Sequence, residues 1–229
     1  MQTIPTPRSA APIRLPAPLA DHLSRFGLSL DGLLTDNNSK LQKGSATAAA
    51  VILHHLPHRA LAAALTPDQA GSTAPRSFLP PLRALADREG VTPAGLAHNG
   101  CPWATAGCAA GCLAWAGHGG LSPAVAAARG RRTLAMLADP VLYGRAVLWA
   151  IARAWAKAQA QGLPLAVRLR GTDEGPGVGW HRLRLSVAPA EAAAIGRRFG
   201  LAVTPGQAVT LADTLAGPLQ DGTLRLYDY

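Results

Sequence analysis

Hydrophobic positions along the chain fall into short continuous runs and longer periodic stretches, and the two kinds alternate. Residues 48–56 (AAAVILHHL) form a short apolar run with β-branched residues at its centre, the pattern of a buried strand, and Pro57 stops it. Ser122-Pro123 is an N-cap and first-turn pair that opens a helix running to about Ala138. Asp139-Pro140 repeats the device, and a second helix runs to Gly162 with Pro164 just beyond. Along it Val141, Leu148, Ile151 and Trp155 share one broad stripe, with Arg145, Lys157 and Gln161 elsewhere. Residues 165–170 (LAVRLR) read as a strand that ends in Gly171-Thr172-Asp173-Glu174. A helix over 188–199, closed by Gly200, and strands over 201–203 and 224–227 complete the pattern. Strands separated by helices of ten residues or more imply parallel pairing through right-handed crossovers. The expected fold class is therefore α/β, an incomplete and partly open parallel β/α barrel-like sheet. The last strand has no helix after it, so the reading includes truncation at the C-terminus.

Prolines divide the rest. Residues 1–27 read as a flexible Pro-rich leader, and 28–229 as one α/β domain with an insertion at about 62–98, punctuated by prolines and glycines. Within the insertion a helical turn or two is expected over residues 82–89. Apolar residues make up 48% of the chain and charged residues 15%, which excludes a disordered chain and a charged coiled coil. The formal charge of +9 favours an anionic partner, a nucleotide or nucleic acid. The strength of that signal is reduced by composition, because 47 alanines and 19 arginines against three lysines are what a GC-rich genome writes. The most apolar stretch, 146–160, is interrupted by Arg153 and Lys157, so no membrane segment is expected. The N-terminus lacks a signal-peptide apolar region, which reads as cytoplasmic.

Chemistry concentrates in one place. Cys101, Cys108 and Cys112 are the only cysteines and stand within twelve residues, CPWATAGCAAGC. An odd, clustered set argues against a disulfide framework. Three thiolates suit a soft metal, and three readings stay open. They hold three irons of a 4Fe-4S cluster; or, with His98 or His118, they close a Cys3His zinc site; or they are small buried thiols. Glycines at 107, 111, 117, 119 and 120 let backbone N–H groups approach a negative centre. Trp103 and Trp115 flank the loop and would shield it from water.

Other candidates are weaker. Arg168 and Arg170 alternate with Val167 and Leu169 and so share a sheet face. In a closed barrel that face calls for a phosphate, and on an open sheet it meets water. His54, His55 and His58 stand at a strand end; the first two point to opposite sides, and each taken singly reads as a packed residue. Arg129, Arg131 and Arg132 read as a basic helix start, a placement the helix dipole opposes; an anionic partner would favour it, and a solvated face is the default reading.

The arrangement Cys101-Pro-x5-Cys108-x3-Cys112-Leu, with Ala126-Ala-Ala-Arg129-x2-Arg132-Thr133 after it, resembles the three-cysteine motif of phage gene-product-88 proteins. Asn38-Ser-Lys40-Leu-x-Lys43 with His54 to His58, Arg168-Leu-Arg-Gly171-Thr172-Asp173 with Trp180, and Tyr227-Asp-Tyr229 resemble further motifs of that family. The likeness covers residues 35–59 and 99–229. Arg170 departs from it, standing where the family shows asparagine. The family belongs to phages and mobile elements, and its cysteine motif is similar to one compared with radical S-adenosylmethionine enzymes. The resemblance therefore implies a 4Fe-4S cluster on Cys101, Cys108 and Cys112 and S-adenosylmethionine beside it. Gly171, Thr172 and Asp173 or Glu174 would receive the methionine amino group, and Asn38, Lys40 and Arg168 would bind an anion. The alternative is a nucleic-acid-binding protein built around structural zinc.

Overall fold

A computed structural model describes residues 14–35, 47–55, 79–91, 122–169 and 184–227. Among them the elements run α1 (Ala17–Arg25), a 3-10 turn (Leu30–Gly32), β1 (Leu34–Thr35), β2 (Ala49–Leu53), α2 (Leu79–Arg88), α3 (Pro123–Ala138), α4 (Pro140–Gln159) and β3 (Leu165–Arg168). They continue with β4 (Arg184–Val187), α5 (Pro189–Phe199), β5 (Gly206–Thr210), α6 (Leu211–Thr214), α7 (Ala216–Gln220) and β6 (Leu224–Tyr227).

The class is mixed α/β. A four-stranded sheet has the order β1-β2-β3-β6, and β4 pairs with β5 separately. Strands β2, β3 and β6 are parallel, with Ile52 level with Arg168 and Arg168 level with Tyr227. Against the all-parallel expectation, β1 is antiparallel to β2. The thirteen residues that join them contain no crossover helix pattern, and antiparallel pairing is what a short connection permits.

The two capped helices form as their sequence signals require. Ser122 accepts from the Val125 N–H at 3.5 Å and Asp139 from the Leu142 N–H at 2.8 Å, each at its helix start. Helix α5 ends on Gly200 at φ +74°, a left-handed cap that a side chain would strain. Helix α4 is the hub. It packs against α1, α3, α5, β3 and β4, and every residue from Ala146 to Ala152 is buried. A helix walled in on all sides has no polar face there, so the single stripe read from sequence is corrected: Val141 is among the exposed large hydrophobics, while Trp149 is buried.

Three further differences have local causes. The segment Ala17–Arg25, inside the stretch read as a flexible leader, is a helix whose Leu19 and Leu23, with Phe26 just beyond, are buried. Its prolines occupy Pro16 and Pro18, at the helix entry, where a missing N–H costs nothing. The strand expected over 201–203 is not formed. Leu201 is buried in the core, the Thr204 N–H bonds the Thr214 carbonyl, and pairing begins only after Pro205, in β5. Strand β4 was not among the expected strands, although RLSV carries the period-two alternation that the structure shows as exposed-buried. No helix among the described residues is long and apolar enough to cross a membrane.

Candidate functional site

Parallel strands deliver their C-terminal ends to one edge, where α/β folds place ligands. Here that edge receives His54 and His55 after β2, Arg168 at the end of β3 and Tyr227 at the end of β6. Helix α3 lies beside it and adds Arg129 and Arg132, three residues apart on one helix face.

The two histidines part company there. His55 is fully buried, and its Nε2 shares a hydrogen bond of 3.0 Å with the Tyr143 hydroxyl on α4. It is a packed residue, as expected for either histidine taken alone. His54 is half-buried among cations, and its Nδ1 is buried without a hydrogen-bond partner. Desolvation first, and then the charges of Arg129, Arg132 and Arg168, push its imidazole down to about 4. At neutral pH it is uncharged.

Arg132 corrects a second expectation. Together with Arg129 and Arg131 it was read as the basic start of a helix with a solvated face. The helix begins at Pro123, so these arginines lie beyond its first turn and out of reach of the N-terminal dipole. Arg131 is exposed beside Gly27, whereas Arg132 is only 9% exposed. Arg132 Nε donates to the Gly32 carbonyl at 2.9 Å, its Nη2 donates to the same oxygen, and its Nη1 donates to the His54 carbonyl at 3.4 Å. Among the described residues no carboxylate pairs with it. Burial lowers its pKa from the usual guanidinium value, yet arginine stays protonated. The carbonyls fix the guanidinium without cancelling its charge.

Of the residues expected to form a site, Arg168 is described; it is half-buried on the face opposite Val167 and Leu169, as alternation requires. Asn38, Lys40, Cys101, Cys108, Cys112, Gly171, Thr172, Asp173 and Glu174 lie outside the described residues, as do His58, Trp103, Trp115 and Arg170. No group of three or more His, Cys, Asp or Glu able to hold a metal occurs among the described residues. The three-cysteine loop precedes α3 in the chain.

A second polar cluster lies between α4 and α5 and has no sequence signal of its own. Glu191, 6% exposed, accepts from Arg145 Nη2 at 2.6 Å and Nε at 3.0 Å, and from Trp149 Nε1 at 2.9 Å. In the sequence Glu191 looks like an ordinary acid of a helix first turn, where the dipole welcomes it. Between the sheet and α4, a groove of about 600 Å³ is lined by Leu34, Ala49, Val51, Arg153, Lys157 and Leu165 among others. Arg153 is paired with Asp31 on its rim.

The model of the Gene product 88 family, GP88, matches residues 33–175, more than half of the chain. The chain belongs to the Gene product 88 family. The Gene product 88 match takes in β1, β2, α2, α3, α4 and β3, and with them the cysteine loop and Gly171 to Glu174. It ends before Trp180 and Tyr227, so the resemblance read at those positions lies beyond the matched span. It also runs through residues 62–98, read from sequence as an insertion. No curated protein and no solved structure matches the chain.

Proposed function

We propose that this protein is an iron–sulfur protein, radical S-adenosylmethionine-like, that acts on a nucleotide or nucleic acid at the C-terminal edge of its parallel sheet. The observation that carries the reading is the cationic edge itself: Arg129, Arg132 and Arg168 act together on His54 at the end of β2. Positive charge held where parallel strands end is the arrangement that receives phosphate.

Membership in the Gene product 88 family supports a shared role for the cysteine loop, and three thiols in twelve residues have the donor chemistry of a soft metal centre. In this reading Cys101, Cys108 and Cys112 hold a 4Fe-4S cluster. Bound there, it would supply single-electron chemistry to S-adenosylmethionine. The chain's own tasks are binding and exclusion of water. A carboxylate of Asp173 or Glu174 receives an amino group, Gly171 and Thr172 let the backbone approach, and Asn38, Lys40 and Arg168 hold an anion. We further read the sheet as part of an incomplete barrel that curves around this edge.

Anaerobic purification followed by iron, sulfide and zinc analysis tests the metal. The expected result is iron with acid-labile sulfide and broad visible absorbance, all lost when the three cysteines are replaced by serine. One zinc per chain and no iron would replace this reading with a nucleic-acid-binding protein carrying a structural Cys3His site.

A further inference from the structure

Helix α4 carries alanine where it lines the groove beside the sheet, and the space those side chains leave is about 600 Å³. Ala150, Ala154 and Ala158 stand one turn apart on one face of α4, and β2 adds Ala49 and Ala50. Close-packed interiors hold few voids larger than a water molecule, whereas this volume is that of a small-molecule site. The rest of the wall is aliphatic, from Leu30, Leu34, Val51, Leu163 and Leu165, and none of the described lining residues is aromatic. The charges along the groove are unequal. Arg153 and Lys157, one turn apart on α4, stand against a single lining acid, Asp31. Asp31 Oδ1 meets Arg153 at Nη1, one corner of a group with five donors. The pair lies at the surface, with the Asp31 side chain 76% exposed, so water already competes for it and an incoming anion can share the guanidinium.

We propose that this groove binds a single-chain aliphatic carboxylate, its hydrocarbon lying between α4 and the sheet and its head sharing Arg153 with Asp31. From Ala150 to Gln161 the helix wall is about 16 Å long at about 1.5 Å per residue, the length of an extended twelve-carbon chain. Aliphatic walls suit such a chain, and a nucleobase would find no ring to stack on. A cationic amphiphile would meet two cations against one acid. A carboxylate instead matches the guanidinium fork. Lys157 has an interaction of its own and adds only its charge. Neither the cysteines nor Arg129, Arg132 and Arg168 enter this site, so it stands or falls apart from the proposed function.

Isothermal titration of the full chain with dodecanoate, below its micelle concentration, tests the site. Acetate supplies the head without the chain, and dodecyltrimethylammonium the chain with the opposite charge. Dodecanoate is expected to bind saturably at one site, acetate not measurably, and the cation at least about tenfold more weakly than dodecanoate. Arg153→Gln should weaken dodecanoate about tenfold. Asp31→Asn removes the competing carboxylate and should tighten it about two- to threefold. Ala154→Leu fills the groove with a strong helix former and should abolish binding. No saturable binding, equal binding of the cation, or unchanged affinity in both Arg153→Gln and Ala154→Leu overturns the proposal. Should Ala154→Leu not fold, Asp31→Asn on its exposed turn decides: tighter binding upholds the site, and unchanged or weaker binding overturns it.

Discussion

Two arginines on adjoining helices are drawn from solvent in opposite ways. Arg145 on α4 gives two hydrogen bonds to Glu191, and Trp149 supplies a third, so charge meets countercharge inside the fold. Among the described residues, Arg132 on α3 gives its hydrogen bonds to carbonyls and to no carboxylate. Both arrangements satisfy the geometry of the guanidinium, but a carbonyl brings no countercharge. The Glu191 cluster is closed and serves α4–α5 packing. Among the described residues the Arg132 guanidinium meets carbonyl dipoles and no carboxylate, so its charge is held in place by partners that carry none.

The sharpest way to break this contrast is to remove the countercharge. Glu191→Ala strands Arg145 and the Trp149 indole N–H together, and the expected loss is about 3–5 kcal/mol in urea unfolding, the range for leaving one partner of a buried pair. Arg132→Met removes a charge together with its hydrogen bonds and should cost less, about 1–2 kcal/mol. Equal losses would show that the two clusters do not differ as described.

Next comes acid. The unfolded chain protonates His54 near 6.5, the folded chain only near 4, so the unfolded state binds the extra proton between those values. Stability should be flat above pH 6.5 and fall as the pH drops towards 4, by about 2–3 kcal/mol in that window. His22, buried and also lowered by desolvation, contributes with the same sign. His54→Gln should remove most of the slope; a slope that survives intact would assign the effect to His22 and weaken the account of the edge.

The smallest effect concerns the corner that positions both clusters. Asp139 caps α4, which carries Tyr143 towards the edge and Arg145 towards α5. Asp139→Ala should cost about 1 kcal/mol, read as a lowered thermal midpoint. A much larger loss would show that the corner couples the two regions.

Much of the scaffold was legible along the chain because its signals are local. Ser122-Pro123, Asp139-Pro140 and Gly200 set helix limits through backbone chemistry within four residues, and the VILHHLP and LAVRLRG runs carry their own strand ends. Helix α1 was masked by prolines that turn out to stand at its entry, and β5 by a segment whose pairing comes from β4. The three clustered cysteines are visible in the sequence, but they lie outside the described residues. What no local pattern contains is which of several arginines is enclosed. Arg129, Arg131 and Arg132 are near-identical in sequence context, yet the carbonyls of Gly32 and His54, 100 and 78 residues away, take up Arg132 and leave Arg131 exposed. Hydrogen bonding and capping act over a few residues and can be read directly. Burial and electrostatic field are sums over neighbours brought together by the fold, and only tertiary structure decided them.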